Sequence, residues 1–285
     1  MNTYKTFESK IKKKYTSLPG NQKKIADFIL DHFESVPFLN VDELSKATGT
    51  SVASIVRFSQ RIGLSGFSEL REIITAVIQK QIGQQQNSTF IQPLEKSDKT
   101  LHVVARQDMK NISDTVVQID NENFKNTINL FSKARRVYTM GLGISYFLSE
   151  ILAYQLNQVS IDSRPFRHSD TTFFEQILFL NKDDVLVGFS FPPYSKDTVD
   201  AAKFARERGI DVVSITNKST APIAFYSTTN LIVKSKNILF TNSFAAISVV
   251  INALATEYAV QNKEKAQKML VSLNKIRETY NHVTI

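Results

Sequence analysis

The stretch VDELSKATGTSVASIVRFSQRIGLSGFSELR, Val41 to Arg71, sets the reading of this chain. Asn40 or Val41 opens a short helix whose apolar positions Leu44 and Ala47 run into Gly49, a residue suited to ending it. Thr50-Ser51 then supply an N-cap pair for a second helix. In it Val52, Ile55, Val56, Phe58 and Ile62 face inward, and Gly63 ends it. Two short helices joined across Ala47-Thr48-Gly49-Thr50 have the proportions of a helix-turn-helix. With the second as recognition helix, Ser51, Ala53, Ser54, Arg57, Gln60 and Arg61 turn outward as the candidate DNA-binding residues. Small residues at the amino end let a helix approach base edges, and arginines reach guanine or phosphate. The plainer alternative is the solvated face of a small helical bundle.

Upstream, Leu18-Pro19-Gly20-Asn21 signals a turn, and Ile25, Phe28, Ile29 and Phe33 recur at helical spacing until Pro37 breaks the chain. Residues 1–24 carry seven lysines against one acid, Glu8, so 7 − 1 = +6. Downstream, Ile73, Ile74, Val77 and Ile78 continue a helix to about Ile82. Gly83 to Asp98 is rich in Gln, Asn, Ser and Pro and reads as a linker. The expected organisation is therefore an all-α domain over residues 1–82, a linker over 83–100 and a third segment over 101–285.

Helical periodicity resumes through Val104, Met109, Ile112, Val116 and Ile119. Beyond it the chain alternates. Val137–Gly141, Val159–Ser163, Asp184–Ser190, Asp211–Thr216 and Asn230–Lys234 are short β-branched runs. Helical stretches at 145–157, 171–180, 197–208 and 220–225 separate them, and 241–261 and 263–281 close the chain. Near-continuous apolar strands between helices predict an α/β domain with a parallel sheet sandwiched by helices. Such sheets bind ligands beyond the carboxyl ends of their strands, which directs attention to the loops after Met140 and Phe189.

LPGNQKKIADFIL, SIVRFSQRIGLSGFSELR and the downstream α/β half together resemble the RpiR/MurR family of bacterial transcription regulators, which join an amino-terminal helix-turn-helix to a sugar isomerase (SIS) domain. The resemblance spans nearly the whole chain. It implies a regulator of carbohydrate metabolism genes that binds a double-stranded DNA operator and responds to a sugar phosphate. It also implies a homodimer or dimer of dimers, with half-sites about 34 Å apart.

For the ligand, Gly141-Leu142-Gly143-Ile144-Ser145 follows a strand and opens a helix, so Gly141 and Gly143 admit an anion and Ser145 adds a hydroxyl. Tyr146 stands where a dinucleotide loop has its third glycine, which disfavours such a cofactor. In the second loop, Ser190 to Thr198, the SIS pattern Ser-x-Ser-Gly-x-Thr is kept at Ser190, has Ser195 for threonine, and is lost at Pro192 and Pro193. Each proline deletes an N–H donor. Tyr194 and Lys196 are the candidate replacements, and His168 is a further candidate contact in the loop after the second strand.

Enzymes of the SIS fold place a glutamate ahead of the last long helix. Residues 234–243, KSKNILFTNS, contain no Glu, Asp or His. Glu150 and Glu175 fall within helices. No catalytic residue is assigned, and an isomerase or lyase remains the alternative, beside a DNA-binding dimer that senses no ligand.

Composition narrows the classes further. There is no cysteine and the four histidines are scattered, which disfavours metal and thiolate chemistry, and no cofactor is expected. The most apolar stretch, Phe244 to Val260, is interrupted by Ser248, Asn252, Thr256 and Glu257, and the first fifteen residues lack an apolar core. A cytoplasmic protein without a membrane partner is expected. The net charge of +8 fits an anionic partner.

Overall fold

The computed structural model describes residues 3–87, 100–167, 171–238 and 241–280. The chain divides into two compact units, Met1–Leu94 with Thr220–Pro222, and Glu95–Ser219 with Ile223–Ile285.

The first unit is helical: α1 (Thr3–Tyr15), α2 (Gly20–Asp31), a 3-10 turn at Val36–Phe38, α3 (Val41–Thr48), α4 (Val52–Arg61) and α5 (Phe67–Asn87). Reading the lysine-rich start by charge overlooks α1. Its signal is the spacing of Tyr4, Phe7 and Ile11; Phe7 and Ile11 are buried, and the rings of Tyr4 and Phe7 lie 4.9 and 5.5 Å from that of Phe33. A capping box starts α3, in which the Asn40 amide oxygen accepts from the Glu43 N–H and the Glu43 carboxylate accepts from the Asn40 N–H, each at 2.8 Å. Gly49 ends α3 at φ 60°, the left-handed conformation that reverses the chain at little cost only for glycine. Ser51 caps α4 by accepting from the Ser54 N–H at 3.2 Å. Helix α5 continues past the expected end at Ile82 to Asn87, since one glycine inside a helix costs only about 1 kcal/mol.

The second unit comprises α6 (Thr100–Gln118), α7 (Asn121–Lys133), β1 (Val137–Met140), α8 (Ile144–Gln158), β2 (Ser163–Pro165), α9 (Phe173–Ile177) and β3 (Val185–Ser190). It continues with α10 (Lys196–Glu207), β4 (Asp211–Thr216), a 3-10 turn at Pro222–Tyr226, β5 (Thr229–Ile232), α11 (Ala245–Gln261) and α12 (Lys263–Thr279). The strands pair in the order β2-β1-β3-β4-β5, all parallel, with Val137 opposite Val185 and Val185 opposite Asp211 at the centre. Ile128 and Phe131 of α7, Leu148, Leu152 and Leu156 of α8, and Ile247, Ile251 and Leu254 of α11 join Val187, Phe189, Val213 and Ile215 in one buried core. Helix α10 packs against β3, β4 and α9. Every residue of β3 is buried, as a sheet covered on both faces requires.

Three elements differ from expectation. Val159–Ser163 is not a strand: Val159 ends α8, Ser160 adopts φ 75°, Ile161 enters the core, and β2 begins only at Ser163. The β-branched residues there serve the turn and the core rather than the sheet. In place of the expected helix at 220–225 there is a 3-10 turn at Pro222–Tyr226, and α9 is five residues long. Helix α7 is not among the sequence-expected elements; Asp120 starts it, accepting from the N–H groups of Glu122 and Asn123 as a conventional N-cap.

Candidate functional site

Two features concentrate chemistry, one in each unit. In the first, α4 buries Ile55, Phe58 and Ser59 and leaves Ala53, Arg57, Gln60 and Arg61 exposed, with Ser51 exposed at the cap. Ala53, Arg57 and Gln60 stand at i, i+4 and i+7, so they line one face. Ser54 is half-buried, and its hydroxyl lies 2.9 Å from that of Ser51, so these two serve the helix start as well as the surface. Arg61 reaches back to the Ser17 carbonyl at 3.4 Å and the Gln22 side-chain oxygen at 3.5 Å. The expected outward set is thus outward, Ser54 in part, and its arginines are one turn apart on a helix with an apolar anchor.

In the second unit, the neighbouring parallel strands β1 and β3 send their chains into α8 and α10. The strand order reverses direction between them, and that switch point opens a crevice at their carboxyl ends. Gly141 sits where the chain leaves β1. A Cβ on it would lie 2.5 Å from the Ser145 carbonyl oxygen, so the turn has room only for glycine. Gly143 precedes α8 at φ 60°, no side chain caps that helix, and its first turn holds no acid. The Ser145 and Tyr146 N–H groups bond back to the Leu142 and Gly143 carbonyls, each at 3.2 Å, so what its amino end presents to the crevice is chiefly the positive end of the helix dipole. Ser145 is buried in that first turn.

On the β3 side, Ser190 is 3% exposed and Thr198 of α10 is 1% exposed. Neither hydroxyl has a hydrogen-bond partner. A buried hydroxyl left unpaired costs about 1–3 kcal/mol, so two at one strand-to-helix junction form a polar site awaiting an acceptor or donor. No sequence motif marks Thr198 beyond its place three residues after Ser195. Ser195 itself caps α10, accepting from the Thr198 N–H at 3.4 Å.

The two proposed replacements are engaged elsewhere. The Tyr194 hydroxyl donates to Asn217 at 2.7 Å, and the Lys196 ammonium pairs with Asp200 one turn along α10. His168 lies outside the described residues. Pro192 accepts through its carbonyl from the Asn242 amide at 2.6 Å, and Ser235 donates to the other end of Asn242 at 3.0 Å. The next residue, Ser243, donates to Asp108 of α6 at 2.6 Å. Asn111 donates to the Lys236 carbonyl at 2.7 Å, and Thr115 accepts from the Lys234 N–H at 2.9 Å. The segment before α11 is thereby laced to both the crevice loop and α6.

The two carboxylates nearest a catalytic role have structural duties. Glu150 accepts from the Tyr146 hydroxyl at 2.6 Å, which raises the tyrosine above its ordinary pKa. Glu175 accepts from the Thr172 N–H in a capping box, which lowers its own pKa. Among the described residues no group of three metal-ligating side chains occurs, and no helix is long and apolar enough to cross a membrane.

The family model described as the helix-turn-helix domain of the rpiR family matches residues 5–81, and that of the SIS domain matches residues 130–257. An uncharacterized HTH-type transcriptional regulator of Haemophilus influenzae is 26% identical over 223 residues, 77% of this chain and 76% of its own. A similarly named protein of Clostridium perfringens is 24% identical over 224 residues, 77% and 78% of the two chains. The sugar isomerase domain of an RpiR transcription factor from Sphaerobacter thermophilus superposes with a TM-score of 0.61 at 25% identity, covering 62% of this chain and 99% of that one. Vibrio vulnificus NanR, solved in complex with ManNAc-6P, shares the fold at a TM-score of 0.63 and 19% identity, over 96% and 98% of the chains.

Gly141→Ala forces the Ser145 backbone to move and is expected to destabilise the second unit by about 1–3 kcal/mol, as overpacking does. Thermal unfolding checks this; an unchanged melting temperature would show that the turn yields freely.

Proposed function

The chain belongs to the RpiR/MurR family, helix-turn-helix transcriptional regulators with a SIS domain, and from that premise we propose that it controls carbohydrate genes in response to a phosphorylated sugar. The division is an amino-terminal DNA-binding domain to about residue 82, a connector to about 100 and an effector domain beyond. The ligand is held between the amino end of α8 and the hydroxyls of Ser190 and Thr198, in the crevice between β1 and β3. The observation that carries this reading is the pair of buried, unpartnered hydroxyls at the strand-to-helix junction beside a helix start that no side chain caps. A phosphate oxygen satisfies both needs at once. The sugar phosphate bound to NanR lends the ligand class further support. Its relatives carry regulator names, which favours sensing over turnover.

We also propose a homodimer acting on the chromosome in the cytoplasm. Ile144, Phe147, Ile151 and Tyr154, at i, i+3, i+7 and i+10 of α8, are 42–60% exposed and form an apolar stripe that starts at the crevice. A second copy covering this stripe places the two ligand sites against the dimer axis. A ligand bound preferentially in one dimer arrangement then shifts the half-site spacing of the paired recognition helices. The bonds from Pro192 through Asn242, and from Ser243 to Asp108 of α6, are the route by which the crevice loop reports to the helix that follows the connector.

A second reading, a DNA-binding dimer without an effector, is favoured by one feature. Pro192 and Pro193 remove two N–H donors from the loop.

The deciding experiment is thermal unfolding across a panel of hexose and N-acetylhexosamine phosphates with their unphosphorylated counterparts. One phosphorylated sugar is expected to stabilise the fold, by about 2.7 kcal/mol at one hundred times its dissociation constant. Ser190→Ala is expected to reduce that shift. No shift with any compound, or equal shifts from both forms of the sugar, would overturn the sugar-phosphate reading. Arg57→Ala is expected to weaken operator affinity by about 1–3 kcal/mol in a gel-shift titration; unchanged affinity removes Arg57 from the recognition surface. Phe147→Asp is expected to halve the mass measured by light scattering, and an unaltered mass places the dimer contact elsewhere.

A further inference from the structure

We propose that the carboxyl end of α1, the turn after it and the first turns of α2 form a phosphate-backbone clamp on duplex DNA, flanking the recognition helix. The inference rests on the DNA-binding reading of α4 and extends it to a surface outside the helix-turn-helix. Its partner is the sugar-phosphate backbone, read without regard to base sequence.

The first observation is a local excess of positive charge, offset in part by Glu8 at Lys12 and by Glu69 at Lys10. Between Ser9 and Ala26 there are six lysines and no acid. Phe7 and Ile11 pin α1 into the core, so its remaining faces are outward, and Lys10, Lys12, Lys13 and Lys14 are exposed. Lys12 pairs with Glu8 at 2.7 Å. Lys13 and Lys14 have no carboxylate partner among the described residues. Lys24, on the second turn of α2, is exposed as well.

The second observation is position. Arg61 at the end of α4 donates to the Ser17 carbonyl at 3.4 Å, and Ser17 donates from both its N–H and its hydroxyl to the Lys14 carbonyl, at 3.0 and 2.7 Å. The turn is further held by buried Leu18, by Tyr15 donating to Asp27 at 3.0 Å and by Lys23 over the Tyr15 ring at 5.6 Å. The lysine cluster is thus fastened to the carboxyl end of the recognition helix by an ordered turn. A surface fixed there tracks the strand beside the groove that α4 enters.

The plain explanation of Lys12–Lys14 is their favourable placement at the negative end of the α1 dipole. It accounts for stability and predicts nothing about salt. It also leaves Lys24, near the opposite end of a different helix, without a role.

The test uses the full chain and a 40-base-pair duplex of mixed sequence, with the dissociation constant measured by fluorescence anisotropy at several salt concentrations. Each phosphate contact contributes about −0.9 to the slope of log affinity against log salt. Lys13→Gln/Lys14→Gln is expected to flatten the slope by about 2 for each bound protomer, about 4 for a homodimer, while leaving the melting temperature near that of the parent. Lys265→Gln/Lys268→Gln removes the same charge from exposed positions of α12 and is expected to leave the slope within about 0.5. An unchanged slope in the first variant overturns the clamp, as does an equal flattening in the second, which would mark a general charge effect. If Arg57→Ala still loses sequence preference in either case, the recognition helix stands and the clamp alone falls. If the parent chain fails to bind the duplex even at low salt, both fall.

Discussion

The parallel pairing of β1 with β3 is the constraint on which the second unit depends. Once Val137 lies opposite Val185 and both strands run the same way, their following helices must start at the same edge of the sheet. The order β2-β1-β3-β4-β5 then obliges the chain to leave β1 toward one side and β3 toward the other. A crevice results, with helix amino termini pointing into it and no backbone to fill it. The two buried hydroxyls at its β3 side have no hydrogen-bond partner, which by itself subtracts from the stability of a sheet covered on both faces.

The first unit obeys a different economy. Its helices are short, and short helices in water are marginal until an apolar face is covered. Caps and turn residues therefore carry much of the definition: the Asn40–Glu43 box, left-handed Gly49 and Ser51 mark three successive boundaries within twelve residues. Ile55 and Phe58, both fully buried, then fix which face of α4 is left exposed. The same principle explains α1. Two buried residues in thirteen are enough to fold a lysine-rich segment onto the core and present its charge in one place.

Helix α6 links these themes. Its polar residues Asp108, Asn111 and Thr115 are spent on the segment before α11 rather than on water. Asn111 and Thr115 are buried, so those bonds are stronger than surface ones and break at a cost. These bonds fasten α6 to the segment before α11.

Patterns local in the chain were legible without coordinates. The turn at Gly49, the outward set on α4, the alternation of strands with helices and the crevice loops at Gly141 and Ser190 all follow from spacing, since capping and amphipathic period act within a few residues. What failed were assignments that depend on distant partners. Val159–Ser163 has strand composition, but core space for Ile161 and the need for a turn after α8 override it. Tyr194 and Lys196 have the right chemistry at the right loop, yet Asn217 and Asp200 engage them, and the first of those partners comes from the next strand end. Thr198 is the converse case, an unmarked residue whose burial leaves its hydroxyl unpaired. The sequence by itself determined the two-part architecture and the elements that carry chemistry, because those are set by local period and charge. Only the tertiary structure decided which hydroxyls stay uncommitted and which lysines stand beside the carboxyl end of α4, because pairing and burial depend on what the rest of the chain brings within reach.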